Sequence, residues 1–129
     1  MNIMTPYIDQ TYALMRIVVG LLFFFHGSAK LISWPQPPPA EAPMAIVIIA
    51  GGLEFVGGPL IAMGAFTRLT AFLCSGLMAV GYWLAHGTKH LFPIVNGGEL
   101  AALYCFVFLF ISAYGPGIWS IDRSRGILE

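Results

Sequence analysis

The chain has 129 residues, enough for one small domain, of which 58% are apolar and only 9% are charged. Globular domains carry about 25% charged residues, so this chain cannot cover a water-facing surface with polar groups, and its mean hydropathy is +0.82. Six Lys and Arg balance six Asp and Glu, which argues against a nucleic-acid partner, and two cysteines are too few for a disulfide scaffold or a zinc site. The composition indicates an integral membrane protein.

Four segments are apolar enough to be membrane-spanning helices, for which about 20 residues are needed. The first contains an apolar run at residues 17–25, followed by small residues that also suit a signal peptide, but three more spans follow and we expect a retained helix. The sequence thus predicts one all-α transmembrane domain over residues 1–129, a four-helix bundle. Its spans cover residues 12–32, 44–65, 69–85 and 99–115.

The connectors predict the orientation of the bundle. A stiff, Pro-rich connector covers residues 35–43, a short one near Thr67 makes a tight hairpin, and a third covers residues 86–98. Four spans place both termini on one side, and Lys and Arg are enriched on the cytoplasmic side. The termini side holds four of them and the other side holds two, so we expect cytoplasmic termini. The four are Arg16, Arg68, Arg123 and Arg125, and the two are Lys30 and Lys89.

Ionisable residues inside a bilayer are functional candidates, because burying a charge there is costly. Glu54 lies about ten residues into the second span, hence about 15 Å deep, near the midplane. His26 and Lys30 share a face of the first span at the depth where they can partner it. We predict a polar site in the outer half of the bundle, formed by six residues: His26, Lys30, Glu54, His86, Asn96 and Glu99.

Structural roles are open for several of these residues. Lys30 can extend to the outer headgroups, and His86 can be an ordinary loop residue. Glu99 follows an Asn-Gly-Gly turn, where a carboxylate simply favours a helix N-terminus. Glu54 is harder to explain in this way, although a bond to His26 or Lys30 that only joins two helices remains an alternative.

The spacing of these residues does not favour a metal site, because ligand pairs such as HxxxH or ExxH are missing within the helices. A quinone is the better candidate, since it needs an apolar cleft and a few hydrogen-bond donors, which His26 or Lys30 would supply. The walls would come from the aromatic residues Phe23, Phe24, Phe25, Phe55, Trp83 and Phe92.

A faint internal repeat links the two halves of the chain. The motif H-G-[ST]-x-x-L begins at His26 and again at His86. Each copy is followed by Gly-Gly and a glutamate, at residues 51–54 and 97–99. Because the first and third spans run in the same direction, this pattern suggests two parallel repeats about the membrane normal.

The order and spacing of several segments together resemble the DoxX family of small four-span bacterial membrane proteins. The likeness covers nearly the whole chain, apart from the Pro-rich connector. Its segments are RIVVGLLF at residues 16–23 leading into HG at 26–27 and KL at 30–31, GLEFVGG at 52–58, GAFTR at 64–68, FPIVNGGE at 92–99 and GPGIWSID at 115–122.

The resemblance implies a protein of the bacterial cytoplasmic membrane that is linked to oxidoreductases, either as a subunit of a quinone-linked enzyme or as a partner of redox-defence enzymes. It selects the same residues as the burial argument, except His86. At 129 residues the chain has no room for a flavin or cluster domain, so an accessory subunit of a larger complex is an alternative. A small proton or solute transporter using Glu54 and Glu99 is another. Expected contacts are lipid, other subunits or further copies of the chain.

Overall fold

The computed structural model describes residues 2–38 and 40–127, and these residues form helices and no strands. The long helices are α1 (Ile8–Ile32), α2 (Met44–Met63), α3 (Thr67–Tyr82) and α5 (Glu99–Tyr114), with short helices α4 (Pro93–Asn96) and α6 (Ile121–Ser124). A 3₁₀ turn, Thr5–Tyr7, precedes α1, and a π-helical turn, Trp83–Gly87, extends α3. The all-α expectation is confirmed for the described part of the chain.

Three of these helices are long and apolar enough to cross a membrane, namely Thr5–Ile32, Met44–Met63 and Thr67–Gly87. The fourth apolar helix, α5, has 16 residues and extends about 24 Å, which is shorter than a hydrocarbon core of about 30 Å. Many large apolar side chains face outward, as lipid contact requires. Those on α1, α3 and α5 include Leu22, Phe72, Leu103 and Phe106.

The ends of the helices follow from local chemistry. The described part of the Pro-rich connector is not helical, since proline lacks an amide hydrogen, and α2 begins directly after Pro43. Gly64 ends α2 in the left-handed conformation (φ +66°). Its N–H donates to Ile61 O at 3.1 Å, while the N–H of Ala65 donates to Leu60 O at 2.9 Å. This is the glycine-dependent Schellman termination, and it turns the chain directly into α3.

The bundle consists of two closely packed antiparallel pairs, α1 with α2 and α3 with α5, while α2 and α3 contact each other less extensively. Phe23 of α1 joins the pairs, with its ring centre 4.6 Å from that of Phe108 and 5.3 Å from that of Tyr104. The core lies along this seam. Its members are Tyr12, Phe23, Ile61, Ala71, Cys74, Tyr104, Phe108 and Ile111.

The structure adds detail at two predicted boundaries. α1 starts at Ile8, before the span expected at residues 12–32, because a proline in the 3₁₀ turn favours a helix start. The connector predicted over residues 86–98 contains helical turns, since the π turn enters it and α4 lies inside it. Glycines at 97 and 98 then permit the sharp entry into α5.

A cluster of charged side chains caps three helices at one end of the bundle, and we call Arg16, Arg68 and Asp122 the capping cluster. Arg16, fully buried, donates to Ile61 O and Ala62 O at the end of α2 and to Trp119 O in the following loop, at 2.7–2.8 Å. Arg68 donates to the carbonyls of residues 112–114 at the end of α5. Cations at helix C-termini stabilise the helix, because they interact favourably with its dipole and donate hydrogen bonds to its unpaired carbonyls.

Asp122 performs the opposite task at the start of α3. Its carboxylate accepts from the N–H of Phe66 at 2.9 Å and from the N–H and hydroxyl of Thr67, both at 2.8 Å. Burial raises the pKa of this carboxyl, but the three hydrogen bonds and nearby Arg125 outweigh burial and hold the pKa below its usual value. Residues 115–124, which follow α5, are therefore packed into the fold.

Candidate functional site

The helix positions place the predicted polar residues between the middle of the bundle and the end opposite the capping cluster. His26 and Lys30 lie in the last turns of α1, and Glu54 lies at the centre of α2. The Lys30 ammonium donates to a Glu54 carboxylate oxygen at 2.5 Å. The Glu54 side chain is 4% exposed and that of Lys30 is 22% exposed, so this ion pair is mostly withdrawn from the surface.

Glycines allow α1 and α2 to approach closely enough for this pair to form. A Cβ atom at Gly51 would lie 3.0 Å from the Cβ of Lys30, and one at Gly27 would lie 2.7 Å from the Cα of Phe55. Small residues at such crossings bring membrane helices together. The glycines on both sides of the crossing therefore place the Lys30 stem directly against α2.

The π turn after α3 positions His86. Its Nδ1 lies 3.0 Å from the backbone oxygen of Asn96. The Asn96 side chain is buried and holds the connector together: its amide donates to the hydroxyl of Tyr82 at 3.0 Å and to the carbonyl of His90 at 2.9 Å, and its Oδ1 accepts from the N–H of Gly98 at 2.7 Å. π turns often mark functional positions, because they redirect a side chain that a regular helix would point elsewhere.

A partly open cavity of about 480 Å³ lies among all four long helices and brings four of the six predicted residues together. This volume is within the range of small-molecule sites, which is about 300–1,000 Å³. The cavity walls are mostly aliphatic. The polar residues at the cavity are His26, Lys30, Glu54 and His86, together with Tyr104.

Two of the predicted residues lie outside this cavity. Asn96 stands behind His86 as its support and does not line the cavity. Glu99 is exposed and faces a different, shallow surface beside Phe92 and Phe106, so the six residues do not all converge as expected. The reason is the rotation of α5 about its own axis. This helix turns Leu100, Ala101 and Tyr104 toward the cavity, which leaves Glu99 on another face.

The expected aromatic walls are mostly wrong. Of the six proposed aromatic residues, only Phe23 lines the cavity. Phe24 packs on Phe55 with ring centres 4.9 Å apart, away from the cavity, while Trp83 and Phe92 are exposed. The spacing of aromatic residues does not reveal which face of a helix looks inward when all of its faces are apolar.

Three residues with notable contacts were not predicted from the sequence. Tyr104 lines the cavity with its ring edge-on to His26, the ring centres being 5.8 Å apart. Tyr82 supports Asn96 through its hydroxyl, although its place near a span end suggests only an interfacial aromatic. Asp122 follows Ser120, whose side chain caps α6, and such a cap signal in the tail could have indicated an ordered segment.

The polar groups at the cavity suit a neutral or weakly polar ligand headgroup. The Lys30–Glu54 pair carries no net charge, and histidine rings can donate or accept hydrogen bonds. Within residues 2–38 and 40–127, no three His, Cys, Asp or Glu side chains lie together as a ligand set for a metal ion. What the cavity offers is an apolar enclosure with a few polar contacts, the usual build of an organic ligand site.

The chain belongs to the DoxX family, whose model matches residues 11–87. A protein of Haemophilus influenzae, described as an uncharacterized protein, is 38% identical over an alignment 129 positions long, gaps included. The alignment covers 95% of this chain and 96% of that protein. No solved structure matches. The resemblance inferred from the sequence is thus confirmed, and the matched region contains His26, Lys30, Glu54 and His86 but ends before Asn96.

Proposed function

We propose that this DoxX-family protein binds a membrane-soluble quinone in the cavity and acts as a subunit of a membrane oxidoreductase system in the bacterial cytoplasmic membrane. The observation that carries the proposal is the cavity itself, an aliphatic enclosure whose only charged lining residues in the described part of the chain are the paired Lys30 and Glu54. In this proposal the cavity residues supply hydrogen bonds to the quinone, and a partner subunit completes the electron transfer.

The position of the cavity opening supports a ligand that comes from the bilayer. Four apolar residues line the cavity and are also exposed at the surface of the protein, so they mark where the cavity opens. They are Ile46 and Ile49 of α2 and, across from them, Val80 and Leu84. This is where α2 and α3 have separated from their common hairpin. A ligand with an apolar tail can therefore keep the tail among lipid chains while its head enters between these helices.

The test is binding of decylubiquinone by the purified protein in lipid nanodiscs. We expect Glu54→Gln to weaken binding about tenfold, because it leaves the Lys30 ammonium without its counter-charge at the cavity. His26→Ala should also weaken it. Glu99→Gln is the matched control, since it makes the same chemical change outside the cavity and should leave binding unchanged.

A second variant separates binding from folding. Lys30→Met combined with Glu54→Met replaces the ion pair with apolar side chains of similar size, a change that buried pairs usually tolerate. We expect this double variant to remain folded and to lose affinity for decylubiquinone. The proposal is wrong if the wild type does not bind the quinone, or if Glu54→Gln and the double variant bind it as the Glu99→Gln control does.

The subunit role has its own test, native mass spectrometry of the protein released gently from its own membrane. Recovery in a fixed ratio with larger proteins is expected, because the exposed apolar surface of the short helix α5 suits a membrane neighbour. Recovery as a stable homo-oligomer, without larger subunits, would contradict the subunit role and leave the cavity proposal to its own experiment.

A further inference from the structure

We propose that the cavity prefers the reduced, hydroquinone form of its ligand, because His86 presents a hydrogen-bond acceptor to it. This inference rests on the proposed quinone site and specifies which redox form the site recognises. It depends on the contacts of one imidazole ring.

The tautomer of His86 follows from the partner of its Nδ1 atom. That partner is the backbone oxygen of Asn96, at 3.0 Å, and a carbonyl oxygen can only accept. Nδ1 must therefore carry the hydrogen and donate it. In the neutral imidazole the other nitrogen, Nε2, then has a free lone pair and acts as an acceptor.

The environment of Asn96 makes this tautomer durable. Asn96 is 8% exposed, and its side chain binds Tyr82, His90 and Gly98, so its backbone oxygen cannot easily move away from His86. Proteins usually fix a histidine tautomer in this way, by a hydrogen bond from one ring nitrogen to a backbone carbonyl.

The Nε2 atom of His86 is the available end of the ring. His86 lines the cavity, and within the described part of the chain Nε2 has no hydrogen-bond partner. A quinone has only carbonyl acceptors and cannot donate to Nε2, whereas a hydroquinone has two hydroxyl donors. The oxygen at the other end of either form can accept from the Lys30 ammonium, and the His26 ring can serve either form as donor or acceptor. The Glu54 carboxylate can also accept from a hydroxyl, but it is paired with Lys30. His86 is therefore the acceptor whose contribution can be removed without breaking the ion pair.

The neighbouring His90 lacks this arrangement of a donating Nδ1 and a free Nε2 at the cavity. The Nδ1 of His90 accepts from the N–H of Phe92 at 3.2 Å, which is the opposite role for that atom. His90 is exposed and does not line the cavity. The two histidines belong to the same connector, so His90 provides a matched control.

The experiment compares binding of decylubiquinone and its reduced form, decylubiquinol, under argon, by calorimetry in nanodiscs. Wild type should bind the hydroquinone more tightly. His86→Phe keeps a ring of similar size but removes the acceptor, and should weaken hydroquinone binding about tenfold while changing quinone binding less than threefold. His90→Phe should change neither.

A measurement on the wild type keeps the test valid if His86→Phe does not fold. Imidazole ¹⁵N spectra should show a protonated Nδ1 and an unprotonated Nε2 for His86, and the Nε2 signal should shift on adding hydroquinone but not quinone. Equal affinity for both forms, or a protonated Nε2 in the neutral ring, overturns the preference while leaving the quinone site standing. Failure of wild type to bind either form overturns both proposals.

Discussion

At the scale of single residues, Arg16 is the side chain with the clearest structural task. It is fully buried, and it reaches carbonyls of both α2 and the loop before α6. We expect Arg16→Met to lower the free energy of unfolding by about 3 kcal/mol, because several buried carbonyls lose a charged donor.

The measurement is unfolding of the protein by SDS in mixed micelles, with the fraction folded followed by circular dichroism. The control is Arg123→Met, which removes an exposed arginine of α6 and should change the free energy by less than about 0.5 kcal/mol. Equal stabilities for the two variants would show that the carbonyl contacts of Arg16 contribute nothing.

The contacts of the single residue Asp122 predict that the stability of the protein depends on pH. Its folded-state pKa lies below the usual value of about 3.9, so its contribution is fully present above that pH and is lost as the pH falls through the depressed value. Thermal unfolding in detergent should show wild type more stable than Asp122→Asn at pH 6, with the difference shrinking below about pH 4. A difference that stays constant down to pH 2 would contradict this assignment.

At the scale of elements, the α1–α2 crossing depends on backbone contact at glycine. A Cβ at Gly58 would lie 2.6 Å from both the oxygen of Gly20 and the nitrogen of Phe24, and backbone atoms cannot give way as a flexible side chain can. We expect Gly58→Ala to lower the free energy of unfolding by about 1–3 kcal/mol.

Gly52 is the matched control on the same helix, because nothing lies within 4 Å of a Cβ built there. Gly52→Ala should be neutral or slightly stabilising, since alanine is the better helix former. Unfolding in SDS micelles compares the two variants directly. If Gly58→Ala is as stable as Gly52→Ala, the backbones of α1 and α2 are not in contact at Gly58.

At the scale of the whole molecule, the number of spans decides the sides of the membrane on which the connectors lie. We expect four spans with both termini in the cytoplasm, although α5 is short. Thr88 and Ser124 are exposed residues on either side of α5. With Cys74 and Cys105 replaced by alanine, Thr88→Cys should react with a membrane-impermeant maleimide in spheroplasts, whereas Ser124→Cys should not.

The outcome of this labelling separates two kinds of error. Reaction at Ser124→Cys but not at Thr88→Cys would reverse the orientation while keeping α5 as a span. Reaction at both positions, or at neither before the membrane is opened, would mean that α5 does not cross. A short span is tolerated when the bilayer thins locally or the helix packs against neighbours, and α5 packs along α3.

The sequence by itself determined that the chain is helical and membrane-embedded, and which residues were candidates. Long apolar runs can satisfy their backbone groups in lipid only by forming helices, so hydropathy alone predicts them. The high cost of charge in a bilayer likewise singled out Glu54. The family resemblance needed only the order of short motifs, and the match over residues 11–87 confirmed it.

Only the tertiary structure decided which candidates meet. A helix that is apolar all round carries no periodic signal for its inward face. The sequence therefore could not show that Glu99 faces away from the cavity, or distinguish Phe23 from Phe24, before the helices were packed. The roles of Arg16 and Asp122 depend on carbonyls and amides that are distant in sequence. The cavity itself exists because glycines bring α1 onto α2 while α2 and α3 separate beyond their hairpin, and that geometry arises from packing rather than from any local pattern.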